Sequence, residues 1–375
     1  MLSASKPRIA CVFEHPTLSG GERSMLEVAR RLQHRFDFVA FAPPGGALRT
    51  ALQSAGLEVV VFERTRRPAS GETPAELTAR ALAGVVEADL LHGNSLSTAQ
   101  FTGRAGELLG IPAIAHVREI EGLNPARVRR IEMNHTVIAV SHAVRDHLAG
   151  EGVAAEKISV VRNGVDLEAL HPDRIEGTIR SELGLPSGCP LIATVGQISL
   201  RKATDVFVQT VGRLSRRRHD LRAIVVGERF SRKAETVRFE ADLRASVERQ
   251  RLAGSVRFLG WRDDVPSILR DLDLLVHPAR QEPLGRVLLE AAALEVPCVA
   301  AEVGGNPEII DHERTGWLVP PDDPEALAER IAWAIDHPDV RRRAGREARR
   351  KVEREFSGEA CARRMEEIYC GLLKG

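Results

Sequence analysis

The stretch Arg280-Gln-Glu-Pro-Leu-Gly-Arg-Val-Leu-Leu-Glu290 decides the fold of this chain. Residues 272–278 before it form an apolar run of strand length that a proline ends, and apolar residues recur at helical spacing over 287–294. The pattern predicts a strand, a short polar turn that contains Glu282, and a buried helix. Glu290 then lies about two turns down that helix, because each turn takes about 3.6 residues.

Pro283 and Gly285 mark the predicted start of the helix. A helix start offers unpaired backbone N–H groups and a positive dipole end to an anion. The stretch therefore predicts a phosphate site with a carboxylate on either side. The alternative, which spacing alone favours, is an ordinary strand, turn and helix in which Glu282 serves only as a cap.

The composition describes an ordinary globular protein that is large enough for two cores, with 375 residues, 43% hydrophobic and 28% charged. A net charge of +1 gives no overall field that favours nucleic acid, so we expect no nucleic-acid partner. Five scattered cysteines without a Cys-x-x-Cys pair favour a reducing cytosol and argue against a zinc site. The N-terminus lacks an apolar signal core and no apolar span has bilayer length, which predicts a cytoplasmic protein with at most peripheral membrane contact.

Strand and helix patterns alternate in two series, which predicts an α/β fold with two parallel sheets. The first series ends near residue 161, and the second begins near 191 after a polar stretch over 171–190. We therefore expect an N-terminal domain over 1–170, a second domain over 171–355, and a C-terminal helix over 356–375 that packs back on the first domain. Ligands of such sheets bind beyond the C-terminal ends of the strands.

Several polar or glycine-containing loops follow predicted strands. Gly20 and Gly21 precede the first helix and could let the backbone approach a ligand, or could form a plain turn. The loop has neither a P-loop nor a Gly-x-Gly-x-x-Gly sequence, which excludes those two classes of nucleotide site. His92 and His116 end strands, although a structural histidine is the favoured interpretation of each alone. Cations in the loop that starts a later helix, Arg201-Lys202, indicate a bound anion or solvent exposure.

Two further clusters have structural explanations. Asp271 and Asp273 have the Asp-x-Asp form of metal-dependent sugar transferases, but they join an amphipathic helix to a hydrophobic strand, so we expect no metal there. A basic group is a candidate contact for an anionic acceptor or a membrane surface, and a solvated helix face is the favoured alternative. Its members are Arg127, Arg129 and Arg130.

The stretch from Glu282 to Glu290 resembles the Glu-x7-Glu motif of retaining glycosyltransferases of family four. That family has the GT-B fold, in which two Rossmann-like domains with parallel sheets face each other across a cleft. Other family motifs are similar to Ser19–Glu22, Arg162–Asp166 and Gly304–Glu308. The resemblance extends along almost the whole chain.

The resemblance implies a role for each matched position. Glu290 would bind the ribose of a nucleotide sugar, Glu282 would lie beside the transferred sugar, and Arg201 with Lys202 would neutralise the diphosphate. The implied catalytic set is His116, Glu282, Arg201 and Lys202, and the implied donor-binding set is Gly20, Gly21, Gly285, Arg286, Val287 and Glu290. His92 matches a position that is less important for function in the family. Ala203 and Leu284 depart from the usual glycine and phenylalanine of the family.

The implied reaction is the retaining transfer of a hexose from a nucleotide-diphosphate sugar to a hydroxyl of a saccharide, lipid-linked or small-molecule acceptor. The resemblance implies no cofactor and no metal, because cations and a helix start would stabilise the departing diphosphate. Two alternatives remain open. One is a GT-B nucleotide-sugar epimerase, with the histidines and Glu119 as an acid/base pair. The other is a non-catalytic protein that binds sugar nucleotides.

Overall fold

The computed structural model describes residues 6–62, 71–85 and 87–374. These residues divide into two compact units, where unit 1 runs up to Gly164 and resumes at Gly358, and unit 2 comprises Val165–Ser357. The sequence predicted these divisions at residues 170 and 355. Residues 1–5, on which the expectation about a signal core rests, lie outside the described residues.

Unit 1 is built on a sheet of seven parallel strands in the order β3-β2-β1-β4-β5-β6-β7. The strands are β1 (Arg8–Val12), β2 (Asp37–Ala42), β3 (Glu58–Val61), β4 (Leu90–Gly93), β5 (Ala113–Val117), β6 (Thr136–Ala139) and β7 (Ile158–Val160). The helices are α1 (Gly20–Leu32), α2 (Gly46–Ser54), α3 (Pro74–Val85), α4 (Leu96–Leu109), α5 (Pro125–Glu132) and α6 (His142–Gly150), followed by a short 3₁₀ turn over Ala155–Lys157.

Unit 2 repeats the architecture with six parallel strands in the order β10-β9-β8-β11-β12-β13. The strands are β8 (Leu191–Val195), β9 (Arg222–Val226), β10 (Val256–Gly260), β11 (Leu274–His277), β12 (Cys298–Ala301) and β13 (Gly316–Val319). The helices are α7 (Ile179–Glu182), α8 (Thr204–Leu214), α9 (Ala234–Arg249), α10 (Val265–Arg270), α11 (Arg286–Ala293), α12 (Asn306–Ile309), α13 (Pro324–Asp336) and α14 (Pro338–Glu355).

The last helix, α15 (Gly358–Leu373), belongs to unit 1. Its apolar face, which includes Met365 and Tyr369, packs with residues of α1 and of the central strands into one buried cluster. Both of these side chains are completely buried. The C-terminal helix therefore covers one face of the unit 1 sheet.

The predicted pair of parallel sheets is confirmed. Each sheet reverses its strand order beside its first strand, between β1 and β4 in unit 1 and between β8 and β11 in unit 2. Such switch points are where parallel α/β sheets bind ligands, because the loops on either side run to opposite faces. None of the described helices is long and apolar enough to cross a membrane.

Candidate active site

Three loops of unit 2 meet beside the switch point of its sheet. The loop after β8 and the turn after β11 are joined by a backbone hydrogen bond of 2.9 Å from Arg280 N–H to Arg201 O. The turn is joined to the loop after β12 by a 2.9 Å bond from Gly305 N–H to Glu282 O. The structure thus brings together three motifs that are separated by about 80 and 20 residues in the sequence.

Two glycines permit the closest of these approaches. A Cβ built on Gly304 would overlap Glu282 O, and one built on Gly305 would lie 2.4 Å from Pro283 O. Gly304 also has φ +50°, which L-residues with side chains rarely adopt. The Gly-Gly pair is therefore required by the packing of its loop on the Glu282 turn.

Glu282 is the centre of a buried cluster of charged and polar side chains. Its Oε2 atom pairs with Lys202 Nζ and accepts a 2.8 Å hydrogen bond from His277 Nε2. Glu282 is 5% exposed and His277 only 1%. Both contacts of the carboxylate are made by the same oxygen, which leaves Oε1 directed elsewhere.

The electrostatics of this cluster keep Glu282 ionised. Burial would raise the pKa of Glu282, but Lys202, the hydrogen bond from His277 and the charge of Arg201 hold it well below its usual range. Burial lowers the pKa of His277, so the ring is neutral and donates its proton to the carboxylate. Burial also lowers the pKa of the Lys202 amine, although the Glu282 charge opposes that change.

The two other arginines of these loops differ in their surroundings. Arg201 is exposed and donates through Nη1 to Gln281 O at 3.2 Å. Arg280 is held by Asp205 at 2.8 Å and by Asp322 at 2.6 Å. Arg201 is thus the more exposed of the two cations, whereas Arg280 fixes the first turn of α8.

The helix predicted to bind an anion begins at Arg286, with Gly285 as an N-cap that has no side-chain capping bond. Arg286 Nε pairs with Glu290 at 2.9 Å, and both side chains are half-buried, as is Val287. Asn306 is completely buried next to this helix start, and its Oδ1 has no hydrogen-bond partner among the described residues. As predicted, Glu282 lies in the turn before this helix and Glu290 lies within it.

In unit 1 the residues after β4 and β5 form a second polar cluster. Arg118 donates to Asn94 Oδ1 at 2.9 Å, to Asn163 Oδ1 at 2.6 Å and to His116 Nδ1 at 3.2 Å. Gly21, in the first turn of α1, lies against this arginine, because a Cβ there would be 2.8 Å from Arg118 Cδ. Gly21 thus has a packing reason for being glycine. Gly20 begins the helix, and its carbonyl accepts a 2.8 Å bond from Ser24.

The two histidines of the sequence analysis touch each other. His92 Nε2 lies 3.2 Å from His116 Nδ1, and His92 Nδ1 lies 2.9 Å from the Tyr369 hydroxyl. Burial, followed by the charge of Arg118, lowers the pKa of His92 to about 3 and that of His116 well below its usual range. Both rings are therefore neutral. His116 bonds to Arg118 in the loop after β5, whereas His92 bonds to His116 and to Tyr369 on α15.

Glu119 and the Asp-x-Asp pair have structural roles. Glu119 accepts N–H bonds of 2.9 Å from both Leu96 and Arg118 and so helps to cap α4. Asp273 pairs with Arg180 and Arg341, each at 2.6 Å, at the N-terminal end of β11 and thus at the sheet edge opposite to Glu282. Within the described residues, no group of three or more acidic, histidine or cysteine side chains is arranged to hold a metal ion.

The basic group on α5 is partly engaged. Arg127 pairs with Glu121 at 3.3 Å and donates to Gly122 O at 3.0 Å. Arg129 and Arg130 are exposed. Their exposure fits a solvated helix face and equally a contact with an anionic acceptor or surface.

Sequence reasoning missed His277, Arg118 and the unpartnered Asn306. A signal for His277 was present, because it ends β11 as His92 and His116 lie near the ends of β4 and β5. This signal is weak, because the proline that follows His277 has a sufficient explanation as the end of the strand. Nothing in the sequence indicates that Arg118 would reach residues 94 and 163.

Comparison with known proteins identifies the family. Residues 176–351 match the family model of Glycosyl transferases group 1, and residues 18–169 match that of Glycosyltransferase Family 4. The α-maltose-1-phosphate synthase of Mycolicibacterium smegmatis is 30% identical over 72% of this chain and 76% of that protein. The chain belongs to glycosyltransferase family 4.

Other similarities extend over more of this family-4 chain. The D-inositol 3-phosphate glycosyltransferase of Corynebacterium efficiens is 28% identical over 85% of the chain and 87% of that protein. Anabaena HepE in complex with UDP and glucose matches 97% of the chain and 99% of HepE, with TM-score 0.86 at 22% identity. Sucrose-phosphate synthase from Thermosynechococcus elongatus matches with TM-score 0.78 at 20% identity, over 98% of the chain and all of that protein. The resemblance to family four and the GT-B fold are both confirmed.

Proposed function

We propose that this glycosyltransferase moves a hexose from a nucleotide-diphosphate sugar to an acceptor hydroxyl, with retention of anomeric configuration and without a metal ion. The observation that carries the proposal is the cluster of Lys202, Glu282 and His277 beside the switch point of unit 2. It places a half-buried cation against the turn that leads into a helix start without a side-chain cap, and both features suit a diphosphate.

Lys202 and Arg201 take complementary parts in the proposed reaction. When the bond between the sugar anomeric carbon and the phosphate oxygen breaks, negative charge develops on the departing diphosphate. Lys202, fixed by Glu282, and the exposed Arg201 would stabilise that charge together with the N–H groups at Arg286 and Val287. The acceptor oxygen forms the new bond to the same carbon, and its proton goes to the departing phosphate, as the family resemblance implies.

Glu282 would act as an orienting group and not as a nucleophile. Its Oε2 is occupied by Lys202 and His277, whereas Oε1 can accept a hydrogen bond from a hydroxyl of the transferred sugar. In unit 1, His116 would donate its Nε2 proton to an oxygen of the donor sugar, as the family resemblance implies; this buried nitrogen has no partner among the described residues. Glu290 would bind the ribose, as the family motif implies.

The donor and acceptor classes rest on the named relatives. HepE is described in complex with UDP and glucose, which supports a UDP-hexose as the first donor to test. The relatives from Corynebacterium and Mycolicibacterium are named for sugar or polyol phosphate products and acceptors, and a relative from Rhizobium leguminosarum is a lipopolysaccharide core mannosyltransferase. We propose a saccharide, lipid-linked or small-molecule hydroxyl acceptor, with any membrane contact at the periphery.

A panel of nucleotide sugars tests the proposal first. Thermal unfolding is measured with UDP-glucose, UDP-galactose, UDP-N-acetylglucosamine, ADP-glucose and GDP-mannose, because free ligand at about 100 times its Kd adds roughly 2.7 kcal/mol of stability. A response to one donor, followed by sugar transfer that survives EDTA and gives a product of unchanged anomeric configuration, is the expected result. Donor isomerised without an acceptor would instead favour an epimerase.

Site variants then test the residue assignments. Lys202→Ala and Glu282→Ala should each lower the transfer rate by about 100-fold, as removal of one charge-stabilising group commonly does. Arg216→Ala, an exposed arginine just beyond α8, is the matched control and should leave the rate unchanged. Equal rates for all three variants and the wild type would show that the assigned site is wrong.

A further inference from the structure

A row of three polar side chains crosses the buried face of unit 1 that α15 covers. His92 on β4 aligns with Ile114 on β5, so His116, two residues further along, lies on the same face of the sheet. Tyr369 reaches this face from α15, 277 residues away from His92 in the sequence. Tyr369 and His92 are completely buried, and His116 is 2% exposed.

The direction of each hydrogen bond follows from Arg118. A guanidinium can only donate, so the 3.2 Å contact from Arg118 Nη2 makes His116 Nδ1 an acceptor. Because the ring is neutral, its proton is on Nε2. His92 Nε2, which lies 3.2 Å from the same Nδ1, must then be a donor. The proton of neutral His92 is thereby on Nε2, so its Nδ1 accepts from the Tyr369 hydroxyl at 2.9 Å.

Three hydrogen-bonded polar side chains are unusual in the hydrophobic core of a domain. The surroundings are apolar, with Phe36 and Phe38 packed on the Tyr369 ring at 5.4 Å and 6.3 Å between centroids. Burying a hydroxyl and two imidazoles here is costly unless each is bonded, and an apolar trio would fill the same space without that cost. The row does, however, end at His116 Nε2, the one nitrogen of these two rings that has no partner among the described residues.

We propose that Tyr369 and His92 are positioning residues that, together with Arg118, hold His116 in the tautomer with its proton on Nε2: both Arg118 and His92 donate to His116 Nδ1, and Tyr369 keeps His92 a donor. In this tautomer His116 can only donate from Nε2, which selects a sugar oxygen as its partner. The catalytic consequence rests on the proposed function, in which His116 contacts the transferred sugar. The C-terminal helix α15 thus contributes to the reaction through the orientation of a histidine on β5.

The tautomer itself can be measured without any substrate. In the full chain labelled with ¹⁵N-histidine, long-range ¹H–¹⁵N spectra distinguish a protonated ring nitrogen from an unprotonated one. Spectra of the His116→Ala and His92→Leu variants assign the two rings among the 12 histidines. We expect a protonated Nε2 and an unprotonated Nδ1 for both rings in the wild type. A His116 ring with its proton on Nδ1 would overturn the proposal.

Tyr369→Phe removes the hydroxyl of the only tyrosine in the sequence and keeps the ring. The expected result is a mixed tautomer signal from His116 and a fall of about fivefold in kcat, with KM changed less than twofold. The loss of one net hydrogen bond changes the ratio of the two tautomers by about this factor. His92→Gln keeps a donor toward His116 and should preserve both signal and rate, whereas His92→Leu should lose both. Thr78→Val, which removes another buried hydroxyl of unit 1, is the control and should change neither.

A double variant separates positioning from general stability. If Tyr369 acts through His116, then Tyr369→Phe should change the residual rate of His116→Ala by less than twofold. The same fivefold fall in that background would show a merely structural role and would overturn the proposal. If no nucleotide sugar is transferred at all, the proposed function fails, and the tautomer spectra of the wild type and of Tyr369→Phe still decide whether the row sets the His116 proton.

Discussion

Replacing Gly305 with alanine is expected to displace the Glu282 turn while leaving every charged group in place. Gly305 has an ordinary backbone conformation, so the change introduces no φ strain. The added Cβ would lie 2.4 Å from Pro283 O, a contact made with backbone that no side-chain rotation can relieve.

The size of the effect follows from this distance. Ordinary van der Waals contact begins near 3.4 Å, so the loop and the turn must separate by about 1 Å. Glu282 fixes Lys202 from this turn, and a misplacement of about 1 Å costs on the order of 100-fold in rate. Overpacking of this kind also lowers the free energy of unfolding by about 1–3 kcal/mol.

The assay compares kcat/KM for sugar transfer and the midpoint of urea unfolding in two variants. Gly254→Ala is the matched control, because Gly254 is exposed, has no positive φ, and has nothing within 4 Å of an added Cβ. It should keep the wild-type rate and lose no stability. Circular dichroism at the assay temperature establishes that Gly305→Ala is folded when its rate is measured.

One outcome would refute this reasoning. If Gly305→Ala is folded, is destabilised as expected, and still transfers sugar within threefold of the wild-type rate, then the position of the Glu282 turn does not control catalysis. If it shows no loss of stability, the loop after β12 moves away at no cost, and the close approach of the two backbones does not constrain the site.

Three further predictions concern other parts of the chain. As the pH is lowered from 6.5 to about 3, the unfolding free energy of the wild type should decrease faster than that of His92→Gln, by about 1.4 kcal/mol per pH unit. The reason is that folding lowers the pKa of His92 to about 3, so protons bind the unfolded chain more strongly in this range. Urea titrations at several pH values measure the difference. Ala203→Gly should change the unfolding free energy by less than about 1 kcal/mol, because relief of the left-handed φ of +51° is offset by loss of a buried methyl and by glycine entropy; an equilibrium unfolding curve showing a larger change would contradict this balance. Asp273→Asn should lower the unfolding free energy by about 1–3 kcal/mol through its two arginine partners, while the donor KM and the response to EDTA stay those of the wild type; a variant that became metal-dependent would restore the Asp-x-Asp interpretation.

The fold was largely predictable because each element carries a local pattern. The apolar run at 272–278 contains β11, and the turn, glycine and helix around Glu282 appear as predicted. Several helices were not predicted individually, among them α4 and α9. The polar character of α9, with Leu243 and Val247 as its buried residues, gave little apolar periodicity to detect.

The site was predictable only in part. The Glu282 and Lys202 motifs could be found separately, but the ion pair between them depends on a side-chain contact that spans 80 residues. The same holds for Gly305, whose absent side chain is explained by a carbonyl of a different loop. A local sequence pattern can indicate the role of a residue, but it does not indicate which distant residue will contact it.

The sequence by itself determined the alternation of strands and helices, the two parallel sheets and the motifs at their C-terminal ends, because these depend on periodicity and on residues that are neighbours in the chain. Only the tertiary structure decided that Lys202 pairs with Glu282, that Gly21 accommodates Arg118, and that Tyr369 bonds to His92. Burial is the physical reason. It turns the charge, protonation and tautomer of each side chain into properties of the partners that folding places beside it.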